Sequence, residues 1–169
     1  LASHGAAIGL FLACLIWARV HKVKFAQYAD LLVLPMPITG AFVRIGNFFN
    51  SELVGKPTDG DWGVVFSRLG ENFPRHPVQL YEAGMGILIF VILFVLHKKY
   101  YSRSKPLFFV FLYLSLYFSG RFIAEFWKEQ HDLTPEGFPL AMGQILSILP
   151  VLLAVIYFVG FYPRMKRRG

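Results

Sequence analysis

The 169-residue sequence has a single cysteine, few charged residues and no metal-binding motif. One cysteine excludes an internal disulfide, and Cys14 lies in an apolar run, where we expect it to pack without reacting. None of the five histidines has the spacing of a metal motif such as His-Glu-x-x-His. Charged residues make up only 16% of the chain and hydrophobic residues 56%, whereas soluble domains contain about 45–50% apolar residues. The composition therefore excludes a soluble domain and indicates an integral membrane protein.

The chain also lacks an initial methionine. Its first apolar stretch has neither a basic region before it nor a small-residue cleavage site, so it does not resemble a signal peptide. We expect a processed protein or a piece of a longer one, in which residues 1–169 form a single transmembrane domain.

Long apolar segments recur along the chain, each close to the ~20 residues that cross a bilayer as a helix. They cover residues 1–18, 31–49, 78–97, 106–127 and 140–162. The sequence therefore predicts an all-α polytopic bundle of about five transmembrane helices. The second segment contains Pro35, Pro37, Gly40 and Gly46, which free backbone groups that must find other partners. We expect this helix to be broken or kinked and to line a cavity.

Basic residues outnumber acidic ones, giving a formal net charge of +7. They do not lie on a soluble module, so no nucleic-acid partner is expected. Instead they concentrate in alternate connections, at residues 19–30, at residues 98–105 and in the tail from Arg164. The positive-inside rule places these stretches in the cytoplasm. The N-terminus and the loops 50–77 and 128–139 are then predicted to face outward.

With this topology, every apolar segment carries polar residues near its outward end. They are His4, Arg44, Asn47, His76, Gln79, Tyr81, Glu82, Arg121, Glu125 and Gln144. Such a shared depth predicts one polar cavity that opens towards the outer leaflet.

Two arginines at membrane depth point to an anionic ligand. Burying a guanidinium in hydrocarbon costs roughly 2.5–3.5 kcal/mol, so such residues usually line polar cavities. Helical spacing places Arg44 with Asn47, and Arg121 with Glu125, on common faces. The planar guanidinium matches phosphate in a bidentate manner, which predicts a lipid head group or another anion. Alternatively, Arg121 reaches the interface paired with Glu125, and Glu52 neutralises Arg44 from the loop.

His4 has two interpretations that the residues alone leave open. A histidine near neutral pKa can accept a proton from a thiol or hydroxyl nucleophile. Equally, His4 can be an interfacial residue bonded to backbone groups.

The stretch from Arg44 to Gly55 resembles the signature of the prolipoprotein diacylglyceryl transferases. That signature is Gly-Arg-x-Gly-Asn-Phe-x-Asn-x-Glu-x-x-Gly, and only its first glycine differs here, as Val43. Further stretches agree in the family's order: Ser3-His4-Gly5, residues 75–82 with Val78 in place of serine, residues 121–126 and residues 142–147.

The resemblance implies a fold and an activity. The family has seven spanning helices, of which the five here look like the last five, without a tyrosine-bearing N-terminal part. Such enzymes transfer the diacylglyceryl group of phosphatidylglycerol to the lipobox cysteine in the signal peptide of a prolipoprotein. A thioether forms and glycerol-1-phosphate leaves, in the first step of bacterial lipoprotein maturation. The resemblance implies no cofactor, and it implies the bacterial inner membrane with the site towards the outer leaflet.

Site residues follow from the same resemblance. Arg44 and Arg121 are expected to hold the phosphate and His4 to act as the base, which makes these three the catalytic candidates. Asn47 is expected to hydrogen-bond the lipid, while Glu52 and Glu125 orient the arginines. The remaining residues of the expected lipid-binding site are Gly55, Gln79 and Tyr81.

Two rival functions remain at this point. One is an anionic-phospholipid binding or transport protein without chemistry, and the other is a purely structural membrane module. Transporters often carry internal repeats and a pair of interrupted segments. This sequence shows one interrupted segment and no repeat, which favours the transferase.

Overall fold

The computed structural model describes residues 2–129 and 140–164, with side chains from residue 9 onward. Its α-helices are α1 Ala2–Val20, α2 Phe25–Leu32, α3 Met36–Asn50, α4 Val78–Tyr100, α5 Phe108–Ala124 and α6 Met142–Ile156. Short 3-10 turns follow α4 at Tyr101–Arg103 and α5 at Glu125–Trp127, and another lies at Ser67–Leu69. After α6 the chain continues as a π-helix, Tyr157–Phe161, and a 3-10 turn, Tyr162–Arg164. The all-α prediction is confirmed.

Four stretches of the described chain are long and apolar enough to cross a membrane. They are Phe25–Asn50, Val78–Arg103, Phe108–Trp127 and Met142–Arg164. The part of α1 with described side chains, Gly9–Val20, is apolar but shorter than a span. The chain is therefore a multi-pass membrane protein. Most of the predicted loop 128–139 and the basic tail lie outside the described residues.

The second span departs from its predicted bounds. We expected it to begin at Leu31, but helix begins at Phe25, within the connection assigned to the cytoplasm. Asp30, the last residue of that connection, is fully buried, and its Oδ1 accepts a hydrogen bond from the Val110 N–H at 2.9 Å. The predicted break is confirmed: α2 and α3 are separated at residues 33–35, where Pro35 has no N–H to continue the helix.

The bundle is built around α4, which packs between α3 and α5, while α6 packs on the other side of α5. α3 approaches α4 closely at Gly86, where an added Cβ would lie 2.7 Å from the Pro37 carbonyl oxygen. Val33, Ile89, Leu93 and Phe109 form the buried centre. Large apolar side chains remain exposed along every span, as expected where lipid rather than water surrounds the helices.

Residues 51–77 form a loop layer over one end of the bundle. Main-chain hydrogen bonds join Val64 to Arg75 in both directions at 3.0 Å, and the Thr58 N–H to the Pro74 carbonyl at 3.0 Å. The Lys56 N–H reaches the Trp127 carbonyl at 2.8 Å. The loop layer is therefore fastened to the end of α5, and it covers the ends of α3, α4 and α5 that carry the predicted site residues.

Candidate functional site

Four charged side chains meet beneath the loop layer and form what we call the charge cluster: Arg44, Glu82, Glu125 and Lys128. Arg44 Nε lies 3.0 Å from Glu82 Oε2. Lys128 Nζ lies 3.7 Å from Glu82 Oε1 and 3.9 Å from Glu125 Oε2. The exposed fractions of these side chains are only 14% for Arg44, 4% for Glu82, 14% for Glu125 and 10% for Lys128. Buried charges need partners of opposite sign, and here each has one.

Arg121 acts on the same cluster through its charge. Burial is the largest cause of the lowered pKa of the Lys128 ammonium, and Glu82 and Glu125 act in the opposite direction. Arg44 and Arg121 lower this pKa further. Among these five side chains, the three cations Arg44, Arg121 and Lys128 outnumber the two carboxylates by one, while the nearby Glu52 carboxylate is bound to Asn47. Such an arrangement attracts an anion, because positive charge in a partly dry cleft is weakly screened.

A second group of polar residues lies where α3 ends. Ser51 caps the helix in the left-handed conformation, which turns the chain towards the loop layer. Asn47 Nδ2 donates to Glu52 Oε2 at 2.7 Å, and Gln79 Nε2 donates to the Glu52 carbonyl oxygen at 2.7 Å. Glu52 thus joins the amides of α3 and α4 and fixes how both are oriented.

Gly55 allows the loop layer to approach α4. Its N–H donates to the His76 carbonyl at 3.1 Å. A Cβ at this position would collide with that same carbonyl oxygen and with the side chain of Val78, which is fully buried. Gly55 also forms an isolated antiparallel bridge with Lys128. A glycine is therefore required by close packing, and it helps to place Lys128.

Arg75 supports the loop layer from within. Its guanidinium binds both carboxylate oxygens of Glu71, at 2.5 and 2.7 Å, and donates to the Gly55 carbonyl oxygen at 3.1 Å. Arg75 Nη1 also lies 2.9 Å from Glu129 Oε2. The bond from Arg75 lowers the pKa of Glu71. This cation is fully used inside the protein, so its role is structural.

An apolar cavity of about 470 Å³ lies between α4 and α5, and it is lined by Tyr81, Ala124 and Trp127, the residues that directly precede Glu82, Glu125 and Lys128 of the charge cluster. Its lining includes Tyr81 and Met85 of α4, Gly120 of α5, and the aromatic rings of Trp62 and Trp127. The Tyr81 hydroxyl lies 3.3 Å from His76 Nδ1 at the rim. The cavity is next to the positive site and can take an apolar group, so the two together suit an amphipathic anion.

The structure brings most of the predicted site residues to this end of the bundle. Arg44, Asn47, Glu52, Gly55, Gln79, Tyr81, Arg121 and Glu125 all lie beneath or beside the loop layer. The side chain of His4 lies outside the described residues. Within the described ranges, no group of three or more histidine, cysteine, aspartate or glutamate residues has the geometry of a metal site.

The ion partners differ from those suggested by the sequence. Arg44 pairs with Glu82 rather than with Glu52, which binds Asn47 instead. Glu125 pairs with Lys128, and no ion pair joins it to Arg121 within the part of the chain that the structure describes. Sequence reasoning missed Lys128, since it was counted as a loop residue. Its spacing of three from Glu125 was the one available signal.

These features define a class of protein: a multi-pass α-helical membrane protein with a positively charged site beside an apolar cavity at one end of the bundle. A sequence model of the family described as prolipoprotein diacylglyceryl transferase matches residues 1–160. The chain therefore belongs to the prolipoprotein diacylglyceryl transferase family, and the predicted resemblance is confirmed.

Individual relatives agree with this assignment. The chain is 46% identical over 170 residues to the phosphatidylglycerol–prolipoprotein diacylglyceryl transferase of Tolumonas auensis, covering 99% of this chain and 64% of that protein. The protein of the same name from Bacteroides fragilis is 39% identical over 166 residues, covering 98% of this chain and 59% of the relative. A third, from Cupriavidus pinatubonensis, is 37% identical over 172 residues, covering 100% and 61%. The chain thus spans 59 to 64% of the length of these relatives.

Proposed function

We propose that the protein acts as a transferase that moves the diacylglyceryl group of phosphatidylglycerol to the cysteine thiol of a prolipoprotein. The observation that carries the proposal is the excess positive charge of Arg44, Arg121 and Lys128 over Glu82 and Glu125 beside an apolar cavity. Membership of the transferase family supports the same reaction. A phospholipid offers the phosphate and the apolar chains that such a site can bind.

The reaction needs a nucleophile and a stabilised leaving group. The substrate thiol loses its proton, and the thiolate attacks the glyceryl carbon next to the phosphate ester. A carbon–sulfur bond forms, the carbon–oxygen bond breaks, and glycerol-1-phosphate departs with the electron pair. Arg44 and Arg121 are proposed to stabilise the charge that grows on the phosphate, since positioned guanidinium groups favour that state.

The remaining site residues orient the substrate. Asn47 is proposed to hydrogen-bond the lipid, with Glu52 holding Asn47 and Gln79 in place. Gly55 keeps the loop layer close to the bundle, and Tyr81 lines the cavity. His4 is proposed as the base that accepts the thiol proton. Glu82 and Glu125 complete the charge cluster.

A transfer assay in membranes that carry the full-length protein tests the proposal. Labelled phosphatidylglycerol and a peptide with a lipobox cysteine should yield a labelled thioether, and glycerol-1-phosphate in equal amount. A peptide with serine in place of that cysteine is the control and should remain unlabelled. Binding of phosphatidylglycerol without any thioether would contradict the proposal and favour the lipid-binding or transport alternative.

We also propose that the protein lies in the bacterial inner membrane with the loop layer facing outward. The support is the cluster of basic residues at 98–105, at the other end of α4, which the positive-inside rule assigns to the cytoplasm. A membrane-impermeant thiol reagent, applied to intact inner-membrane spheroplasts after Cys14 is replaced by serine, should label Asp59→Cys and spare Arg103→Cys. The reverse labelling would overturn this orientation.

A further inference from the structure

Glu125 lies where it would normally neutralise Arg121. The two residues are four apart, a spacing that places opposite charges together on an α-helix. In this structure α5 ends at Ala124, and Glu125–Trp127 forms a tighter 3-10 turn. Side chains three apart eclipse one another in a 3-10 helix, so Glu125 is aligned with Lys128 instead. Their charged atoms are 3.9 Å apart.

The start of α6 holds the Glu125 carboxylate in this position. A Cβ added at Gly143 would lie 2.5 Å from that carboxylate. Gly143 is buried within the first turn of α6, and Gln144 caps the same turn by accepting the Ala141 N–H at 3.0 Å. The carboxylate therefore packs directly against the α6 backbone at Gly143, and a side chain at this position would displace it.

Lys128 is fixed from the other side by the loop layer. Its main chain bridges Gly55, the Lys56 N–H binds the preceding carbonyl of Trp127 at 2.8 Å, and the Glu129 N–H reaches the Val54 carbonyl at 3.3 Å. The lysine side chain extends from this anchored backbone to both Glu82 and Glu125. Its ammonium thus shares its charge between two carboxylates, one of which already binds Arg44.

The result is a selective pairing of charges. Without Lys128, two arginines would face two carboxylates, and each guanidinium could be neutralised by its own acid. With Lys128 present, the Arg121 side chain makes no ion pair or hydrogen bond with any residue whose side chain the structure describes. We propose that Lys128 is a positioning residue, which draws Glu125 away from Arg121 and so keeps the Arg121 guanidinium open for the phosphate of the lipid substrate. The effect on lipid binding rests on the proposed function, whereas the pairing of Lys128 with Glu125 does not depend on it.

A charge-restoration experiment in the full-length protein tests the role. Lys128→Met should raise the KM for phosphatidylglycerol and lower kcat/KM by about ten- to a hundredfold, the usual effect of losing one charged hydrogen bond, here the one from Arg121 to the lipid phosphate. Lys128→Arg should retain most of the activity, because an arginine can hold both carboxylates. The double variant Lys128→Met/Glu125→Gln should recover most of the loss, since the one carboxylate left in the charge cluster, Glu82, is held by Arg44. Lys99→Met, at the opposite end of α4, is the matched control and should behave as the wild type.

The recovery separates this role from the alternatives. If Lys128 itself binds the phosphate, transfers a proton or only supports folding, removing the Glu125 charge will not restore activity, and the proposal is overturned. Full activity of Lys128→Met would overturn it as well. Where Lys128→Met does not accumulate in the membrane, Lys128→Gln and its double variant with Glu125→Gln provide the same comparison.

A second readout does not depend on transfer. Phenylglyoxal modifies arginines that are not engaged in ion pairs, and mass spectrometry locates the modified residue. Arg121 should react readily in the wild type, slowly in Lys128→Met and readily again in the double variant, while the paired Arg44 serves as an internal reference. Equal reactivity of Arg121 in all three proteins would refute the role of Lys128. If the reactivity of Arg121 changes as expected but no thioether forms in the transfer assay, the proposed function is wrong. The pairing of Lys128 with Glu125 is then still supported.

Discussion

Both ends of the bundle bury charged groups, but they use them differently. Beneath the loop layer, Glu82 and Glu125 pair with Arg44 and Lys128, and Arg121 adds a third cation. At the other end, charged side chains form hydrogen bonds with main-chain groups. Asp30 accepts the Val110 N–H in the first turn of α5, and Lys105 Nζ donates to the carbonyls of Tyr162 and Pro163.

The main-chain partners have a clear physical reason. The first N–H groups and the last carbonyls of a helix have no partner within it. The residue before α5, Leu107, has a left-handed backbone and no side chain that can cap the helix, so Asp30 of α2 acts as the cap. In the same way, Lys105 donates to the last carbonyls of the helical segment that follows α6. Burial of a charge alone therefore does not indicate a binding site, because Asp30 is fully buried and serves the end of a helix.

The strongest test of this comparison is Arg44→Lys. Lysine keeps the charge but cannot reproduce the planar bidentate contact with a phosphate, so we expect diacylglyceryl transfer to be abolished or nearly so. The assay is transfer from labelled phosphatidylglycerol to a lipobox peptide. The matched control is Arg103→Lys at the opposite end, which should retain normal activity. Comparable losses in both variants would remove the distinction between the two ends.

The variant His4→Asn tests whether α1 contributes to the site beneath the loop layer. Loss of a general base should lower the rate by roughly 10²–10⁴-fold and leave phosphatidylglycerol binding largely intact. Part of the rate should return as the pH rises, because more of the substrate thiol ionises without help. The measurement is a pH–rate profile of both proteins. Weaker lipid binding with no recovery at high pH would instead make His4 a head-group ligand or a packing residue.

Local patterns predicted the described spans, whereas the roles of the site residues stay predictions. Apolar length located the four described spans, and proline and glycine content indicated the break before α3. The helix before Leu31 was not predicted, and one contact that holds it, from the Val110 N–H to Asp30, spans 80 residues along the chain. Lys128 was missed for the same reason: its position depends on a bridge to Gly55. Periodicity reports neighbours within a helix, whereas these contacts arise only when separate helices assemble.

Gly55→Ala should weaken the loop layer and, through it, the charge cluster. The new methyl group collides with the His76 carbonyl oxygen and the Val78 side chain, and overpacking of this kind costs about 1–3 kcal/mol. We expect a lower thermal midpoint in detergent and reduced transfer. In Gly84→Ala the methyl group meets nothing within 4 Å, so this control should match the wild type. An unchanged midpoint for Gly55→Ala would show that the close contact is not required.

Asp30→Ala should have the smallest effect on catalysis. It removes the acceptor for a helix-terminal N–H and leaves that donor unsatisfied, which costs about 1–3 kcal/mol of stability. The thermal midpoint should fall, while the transfer rate per folded molecule should remain normal. Measuring both quantities on the same preparation distinguishes them. A large loss of specific activity would mean that the two ends are coupled.

The pair between Arg44 and Glu82 also has a consequence for biogenesis. Its partners are 38 positions apart, and Lys128 follows Arg44 by 84 positions. During synthesis, Arg44 therefore reaches the bilayer well before either Glu82 or Lys128. A lone guanidinium there costs roughly 2.5–3.5 kcal/mol, and the Glu82 carboxylate offsets that cost once α4 arrives. The ion pair thus favours entry of α3 and α4 as one helical hairpin, and the site is completed only when the chain after α5 has crossed.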